Sequence, residues 1–478
     1  MKKFDTIIIN GQVVLPGYVS DNCSIGIKDG KIAAVASELS VLDAEEVIDV
    51  KGLAVFPGSV DCHFHLGIYR PMSEDTKSET QSALVGGVTT VLSYFRTGQH
   101  YMNKTGSYHD ILPEALAETK DNAYVDYGFH IAPMQSSHVG EMDWLASEMG
   151  VTTFKYFMFY KGLNLSASST DSKALTMSDS YDLGHLYAIM EKAAKLNETL
   201  KNEPISVSVH CEDDEIIKEF IKRVKRDGVE GLKAYCDARP PLSERIGILK
   251  AGTVAAATGA KVNLLHMGSK EALEASRDLE KIYPDLEIRR EVTLHALGLN
   301  YDMLQDKGFG GKVNPPIRTK EDGEALWDGV LNGEVNWVGS DHACTPAAIK
   351  GDELWNAACG FGGTSLMYPF MISEGYHKRG ISLNKIAELI STNPAKSHAI
   401  YPKKGSISVG ADADIAIIDL NAEKTVTVDI LNSAQEYTPF EGMKLKGWPV
   451  MTILRGKKVF ENGNTVGSPK GEYIKRPV

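Results

Sequence analysis

The sequence predicts an α/β chain: a (β/α)8, TIM-like barrel with a small β-sandwich domain formed by both termini. Three observations lead there. Eight short apolar runs in the middle of the chain alternate with segments of helical spacing. Both ends read instead as short strands joined by Asn-Gly, Asp-Gly and Arg-Gly turns. Polar residues able to carry chemistry fall at the ends of several of these runs, which is where barrels of this kind place their active sites. A doubly wound sheet is the structural competitor. The count of eight and the chemistry at the strand ends favour the barrel.

The first 56 residues supply TIIING, CSIGIKDGKIAAVA and EEVIDVKG. The tail supplies DADIAIIDL, KTVTV and PVMTILRGKKVFENG. Neither end is long enough to bury a core alone. Residues 1–56 together with 407–478 are therefore expected to form one small domain, and 57–406 the barrel. The barrel runs are SVDCH (59–63), GVTTVLSYF (87–95), YVDYGFHI (124–131), TTFKYFMF (152–159), ISVSVHCE (205–212), KVNLLHMG (261–268), LEIRREVT (286–293) and VNWVGSDH (335–342). DEIIKEFIKRVKRDG and SKEALEASRDLEKI are the clearest helices between them.

Composition bounds the function. The chain has 478 residues, of which 43% are apolar and 24% charged, an ordinary globular make-up. A net charge of -12 leaves no basic surplus to neutralise phosphates, so neither nucleic acid nor a membrane surface is expected as a partner. The six cysteines form no CxxC pair, and Cys62, Cys211 and Cys344 adjoin candidate metal ligands, which suits a reducing compartment. MKKFDTIIING has an apolar run of only three residues before Asn10, so it is no signal peptide. No apolar run reaches membrane-spanning length, and a cytoplasmic location is expected.

The stretch FPGSVDCHFHLG (56–67) ends the first barrel run with His63 and His65. A spacing of two puts both rings on one side of an extended segment, so both can reach one ion. Run five ends at His210, run six at His266 and run eight at Asp341. A lone histidine at a strand end is more often a hydrogen-bonded core residue. Four histidines and an aspartate on four strand ends of one barrel argue for a metal, and imidazole with carboxylate suits zinc or another borderline divalent ion. Five donors are too many for one tetrahedral ion and too few for two without a bridge. Lys155, inside TTFKYFMFYKG, has two readings. As a neutral amine it could take up carbon dioxide, giving a carbamate that bridges two cations. Otherwise it is a lysine that snorkels or pairs with an acid.

The chain resembles the cyclic-amide hydrolase branch of the amidohydrolase superfamily: dihydropyrimidinases, hydantoinases, allantoinases and dihydroorotases. The resemblance spans essentially the whole length. It is carried by PGSVDCHFHLG, GGVTTV, TFKYFMFYKG, VHCED, LLHMGS, KVNPPIR, GSDHA, NPAKSHAIYPKKGSISVGADADIAIIDL and YTPFEGMKLKGWPV. It implies two divalent ions, zinc first, with His63, His65 and Asp341 on one, His210 and His266 on the other, and N6-carboxylated Lys155 bridging them. A hydroxide shared by the two metals would attack the ring carbonyl, and Asp341 would pass its proton to the leaving nitrogen. The product would be an N-carbamoyl amino acid. Tyr160 matches the tyrosine of dihydropyrimidinases and D-selective hydantoinases, whose hydroxyl would donate to the oxyanion. Positions near Thr293 and Phe361 match backbone readers of the substrate's ureido edge, although TLHA (293–296) and FGG (361–363) depart from the usual family pattern. The family also implies a homotetramer or homodimer.

The expected activity is therefore ring opening of hydantoins or 5,6-dihydropyrimidines, a small cyclic ureide or imide being the partner. Allantoinase is the runner-up, with dihydroorotase behind it. A non-catalytic structural relative is disfavoured because all six ligand positions are present. Arg70, after HFHLG, either favours a carboxylate-bearing substrate or, as expected here, pairs with a surface acid. Leu163 to Asp182, rich in Ser and Thr, reads either as a lid or as a passive insertion. His342 is expected to be structural and Arg318 a loop anchor. His295 is a further residue that could face the pocket.

Overall fold

The computed structural model describes residues 2–161 and 181–477 and contains two sheets. The N-terminal strands are β1 (Phe4–Leu15), β2 (Tyr18–Lys28), β3 (Lys31–Ala36), β4 (Ala44–Asp49) and β5 (Ala54–Pro57). The eight that follow are β6 (Ser59–Phe64), β7 (Val88–Arg96), β8 (Asp126–Ala132), β9 (Thr153–Phe157), β10 (Ser206–His210), β11 (Val262–Leu264), β12 (Ile288–Thr293) and β13 (Trp337–Gly339). The C-terminal four are β14 (Ile415–Thr425), β15 (Lys444–Leu454), β16 (Lys457–Glu461) and β17 (Asn464–Thr465).

Strands β6 to β13 lie side by side in chain order, each parallel to the next. The ring nearly closes just beyond β13. There the His342 N–H donates to the His63 carbonyl (3.2 Å) and the His65 N–H to the His342 carbonyl (2.9 Å). Each of the eight apolar runs became one barrel strand. Most are buried along their whole length, as helices covering a parallel sheet require.

The two clearest helical segments form Asp214–Asp227 and Lys270–Ile282. The first starts where the Asp213 carboxylate accepts the Ile216 N–H, and stops at Gly228 with φ 68. The second is capped by Ser269, whose side chain accepts the Ala272 N–H. No helix among the described residues is long and apolar enough to cross a membrane.

Both chain ends enter one nine-stranded mixed sheet, a separate domain. β5 joins its halves, running parallel to β1 and antiparallel to β14. Ile8, Val13, Ile25 and Ile27 from the first half share a core with Ile415, Ile417 and Ile453 from the second. The buried Lys404 clamps this domain to the barrel, pairing with Asp126 of β8 (2.5 Å) and with Asp414 (2.7 Å) and Asp412 (3.0 Å) beside β14. Of the segment 163–182, all but Tyr181 and Asp182 lies outside the described residues.

Candidate metal centre

His63 lies within β6 and His65 follows its end. Their Nε2 atoms converge on Oδ1 of Asp341, at 3.0 and 3.1 Å. One donor atom from each of the three lies within 4.8 Å of the other two. Gly339, the last residue of β13, lets His63 sit this close, since a Cβ there would lie 3.1 Å from the His63 Cβ. His210 ends β10, and its ring centre is 4.3 Å from that of His266, which in turn lies 5.2 Å from His63. His266 and Asp341 have φ of 35 and 52, in the left-handed region that non-glycine residues occupy at a cost. Such a turn directly after a barrel strand is where strain is retained for function.

Lys155 is the middle residue of β9 and is wholly buried. Its Nζ stands over the rings of Tyr94 (4.4 Å) and Phe157 (4.7 Å), and no hydrogen-bond acceptor meets it among the described residues. It neither snorkels nor pairs with an acid. Burial pushes its pKa down to about 7, although Glu291 and Asp341 pull the other way. The neutral amine so favoured is the form that can add carbon dioxide. His266 Nδ1 is likewise buried without a partner. Orphaned nitrogens facing three more imidazoles and a carboxylate fit divalent cations of the zinc class.

The electrostatics agree. Burial holds His65 and His210 down to about 4, so both are neutral and able to ligate at neutral pH. Burial opposes charge on His63 too, but Glu291 and Asp341 raise it to about 9. Burial alone would raise Asp341, yet His63 and His65 hold it well below the usual carboxylate range. A cation in the place of the His63 proton would satisfy the same two carboxylates.

Sequence reasoning missed the groups that orient these donors. Glu291 of β12 accepts from His63 Nδ1 (2.5 Å), from the His266 N–H (3.0 Å) and from Trp337 Nε1 (2.8 Å). Glu212 contacts His210 Nε2 at 2.6 Å and is itself clamped by Arg239 at 2.9 and 2.5 Å. The Tyr101 hydroxyl meets His65 Nδ1 at 2.8 Å. Each fixes a ring and strengthens it as a ligand. Glu291→Gln is expected to weaken metal binding by about 10- to 100-fold. Competition against a chelator checks this, and unchanged affinity would reduce Glu291 to a packing role.

Above the ligands opens a cleft walled by Tyr69, Phe157, Phe159, Tyr160, Asn314 and Cys359 among others. Tyr160 therefore shares the cleft with all six candidate ligands. Thr293 and Phe361 do not line it. The Thr293 side chain caps the short helix Leu294–Gly298, and the Phe361 carbonyl accepts the Ala343 N–H. From the same two loops it is Asn314 and Gly360 that reach the wall. His295 is buried edge-on against Phe361 and also stands off the wall.

Arg70 pairs with the surface acid Glu74 (3.9 Å), as expected, and also with the buried Asp75 (3.3 Å) and Glu79 (3.7 Å). His342 is structural: it bonds Glu79 at 2.8 Å and stacks on Phe64 at 4.5 Å. Arg318 anchors its loop through the buried Glu244.

Residues 54–459 match the model of the amidohydrolase family. An allantoinase of Rubrobacter xylanophilus is 31% identical, over 99% of this chain and 98% of its own. A D-hydantoinase of Ralstonia pickettii is 30% identical, over 99% of both chains. The solved dihydropyrimidinase of Brevibacillus agri superposes with a TM-score of 0.87 at 27% identity, covering 99% of this chain and 98% of that one.

Proposed function

Because the chain belongs to the amidohydrolase family and is a cyclic amidohydrolase, we propose that it opens hydantoins or 5,6-dihydropyrimidines to N-carbamoyl amino acids. The observation that carries this reading is Tyr160, whose side chain walls the same cleft as His63, His65, Lys155, His210, His266 and Asp341. The family is metal-dependent, and two zinc ions are the proposed occupants. His63, His65 and Asp341 would hold one, His210 and His266 the other, with Lys155 as its carbamate between them. Bound metal lowers the pKa of water and polarises a carbonyl.

The chain's own residues do the rest. The cleft, walled by Phe157 and Phe159, takes a flat ring and limits water. Asp341, pinned through Oδ1 by two histidines, takes the proton of the attacking water and hands it to the ring nitrogen as the C–N bond breaks. The Tyr160 hydroxyl donates to the oxygen that gains charge. Asn314 and Gly360 flank the ureido edge, with Thr293 and Phe361 supporting those loops from behind. The same reading includes a homotetramer or homodimer, checked by sedimentation, and a cytoplasmic location, which suits six unpaired thiols.

The test is ring opening by the zinc-loaded protein, with bicarbonate present. The panel is dihydrouracil, hydantoin, 5-substituted hydantoins of both hands, allantoin and dihydroorotate. Dihydrouracil or D-hydantoins should turn over fastest. A second reading, allantoinase, is favoured by the 31% identical relative that carries that name, and a preference for allantoin would establish it instead. Turnover of none of the panel by protein with full metal would sink the cyclic-ureide assignment. Tyr160→Phe is expected to lower kcat on the best substrate by about 10²- to 10³-fold, the usual cost of losing one oxyanion donor.

A further inference from the structure

Arg96 is the last residue of β7 and is only 4% exposed. No carboxylate pairs with it among the described residues, which is unusual, because a buried cation without a counter-charge is costly. Backbone and rings hold it instead. Nη1 donates to the carbonyls of Thr97 (3.2 Å) and Gln99 (2.7 Å). The guanidinium lies 5.4 Å from the Tyr101 ring centre and 5.2 Å from that of Tyr160. Nη2 donates to the Tyr160 phenolic oxygen at 3.4 Å.

A guanidinium has donors and no acceptor. The Tyr160 oxygen must therefore accept in this contact, and its single proton is left for another partner. Phe157 stacks on the Tyr160 ring (4.7 Å) and Phe159 meets it edge-on (4.5 Å). Neither side chain offers a hydrogen-bond acceptor, and no acceptor meets the Tyr160 O–H among the described residues, so the cleft that Tyr160 walls is open to its proton. Tyr160 ends the short turn Met158–Tyr160 that follows β9, and β8, which lies between β7 and β9, ends at Ala132 in register with Arg96.

We propose that Arg96 is a positioning residue for the reaction, turning the Tyr160 O–H toward the developing oxyanion and polarising it into a stronger donor. A charged donor on the phenolic oxygen does both. The inference rests on the reading of Tyr160 as the oxyanion donor.

The experiment is a double-mutant cycle on the zinc-loaded full chain: wild type, Arg96→Met, Tyr160→Phe and the pair, with kcat, KM and metal content measured for each. Arg96→Met is expected to lower kcat about tenfold or more in the wild type and less than about twofold in Tyr160→Phe, with metal content unchanged. KM should move little, because the contact acts on the transition state. Arg96→Lys, which keeps a charged donor, should recover part of the loss.

Equal losses in both backgrounds, or metal lost with Arg96, would overturn the inference while leaving the Tyr160 reading intact. A silent Tyr160→Phe would overturn both. Should Arg96→Met fail to fold, the same cycle with Arg96→Gln decides, since the amide can still donate to the loop carbonyls without the charge.

Discussion

Asp341→Asn is expected to lower kcat by about 10²- to 10⁴-fold on whichever ring substrate turns over best. The substitution keeps the size and most of the hydrogen-bonding reach of the side chain. It removes the one property the reaction needs there, a carboxylate that can take a proton and give it back. The setting makes the loss hard to cover. Asp341 is buried, its Oδ1 is shared by His63 Nε2 and His65 Nε2, and its φ of 52 fixes the approach. Metal content must be measured on the same sample. A fall in rate with metal retained assigns the proton transfer to Asp341. A fall in step with metal loss leaves Asp341 a ligand alone. An unchanged rate would remove it from the reaction.

The parts of this site that were legible in the sequence are those written in local pattern. His63 and His65 declare themselves because strand period two places them together, and the barrel because eight apolar runs alternate with segments of helical spacing. The orienting groups are written in long-range packing. Glu291 sits in LEIRREVT among three other charged residues, so nothing local marks it as the one that turns inward. Only the register of β12 against β13, which pairs Glu291 with Trp337, puts it beneath His63. Glu212 carried a readable signal, since it lies two residues after His210 in VHCED. The loop after β12 runs for many residues before Asn314 reaches the cleft, and strand-end logic points to Thr293 instead. Arg70 lies next to the metal ligands in sequence, yet the helix Met72–Val85 presents Asp75 and Glu79 four residues apart and draws it away.

Lys155→Ala is expected to cost about 10³-fold or more in kcat. Metal catalysis contributes several kcal/mol, and each 1.36 kcal/mol is tenfold. The loss should come with loss of metal, because five donors cannot fill two cation sites once the bridge is gone. A buried lysine among aromatic rings has no structural reason that alanine would violate strongly: its Nζ makes no hydrogen bond among the described residues, and Tyr94 and Phe157 can close part of the gap. The variant should therefore fold, and its defect should be chemical. Two further measurements separate a carbamate from a plain amine. Metal reconstitution of the wild type should be faster with bicarbonate than in solution stripped of carbon dioxide. A short carboxylic acid such as acetate should restore part of the lost activity to Lys155→Ala, since it supplies a carboxylate to the same space. Full metal binding and undiminished turnover by Lys155→Ala would refute the bridging role. Activity lost without either bicarbonate dependence or carboxylate rescue would leave Lys155 essential as an amine, and the two ions would then need a different bridge.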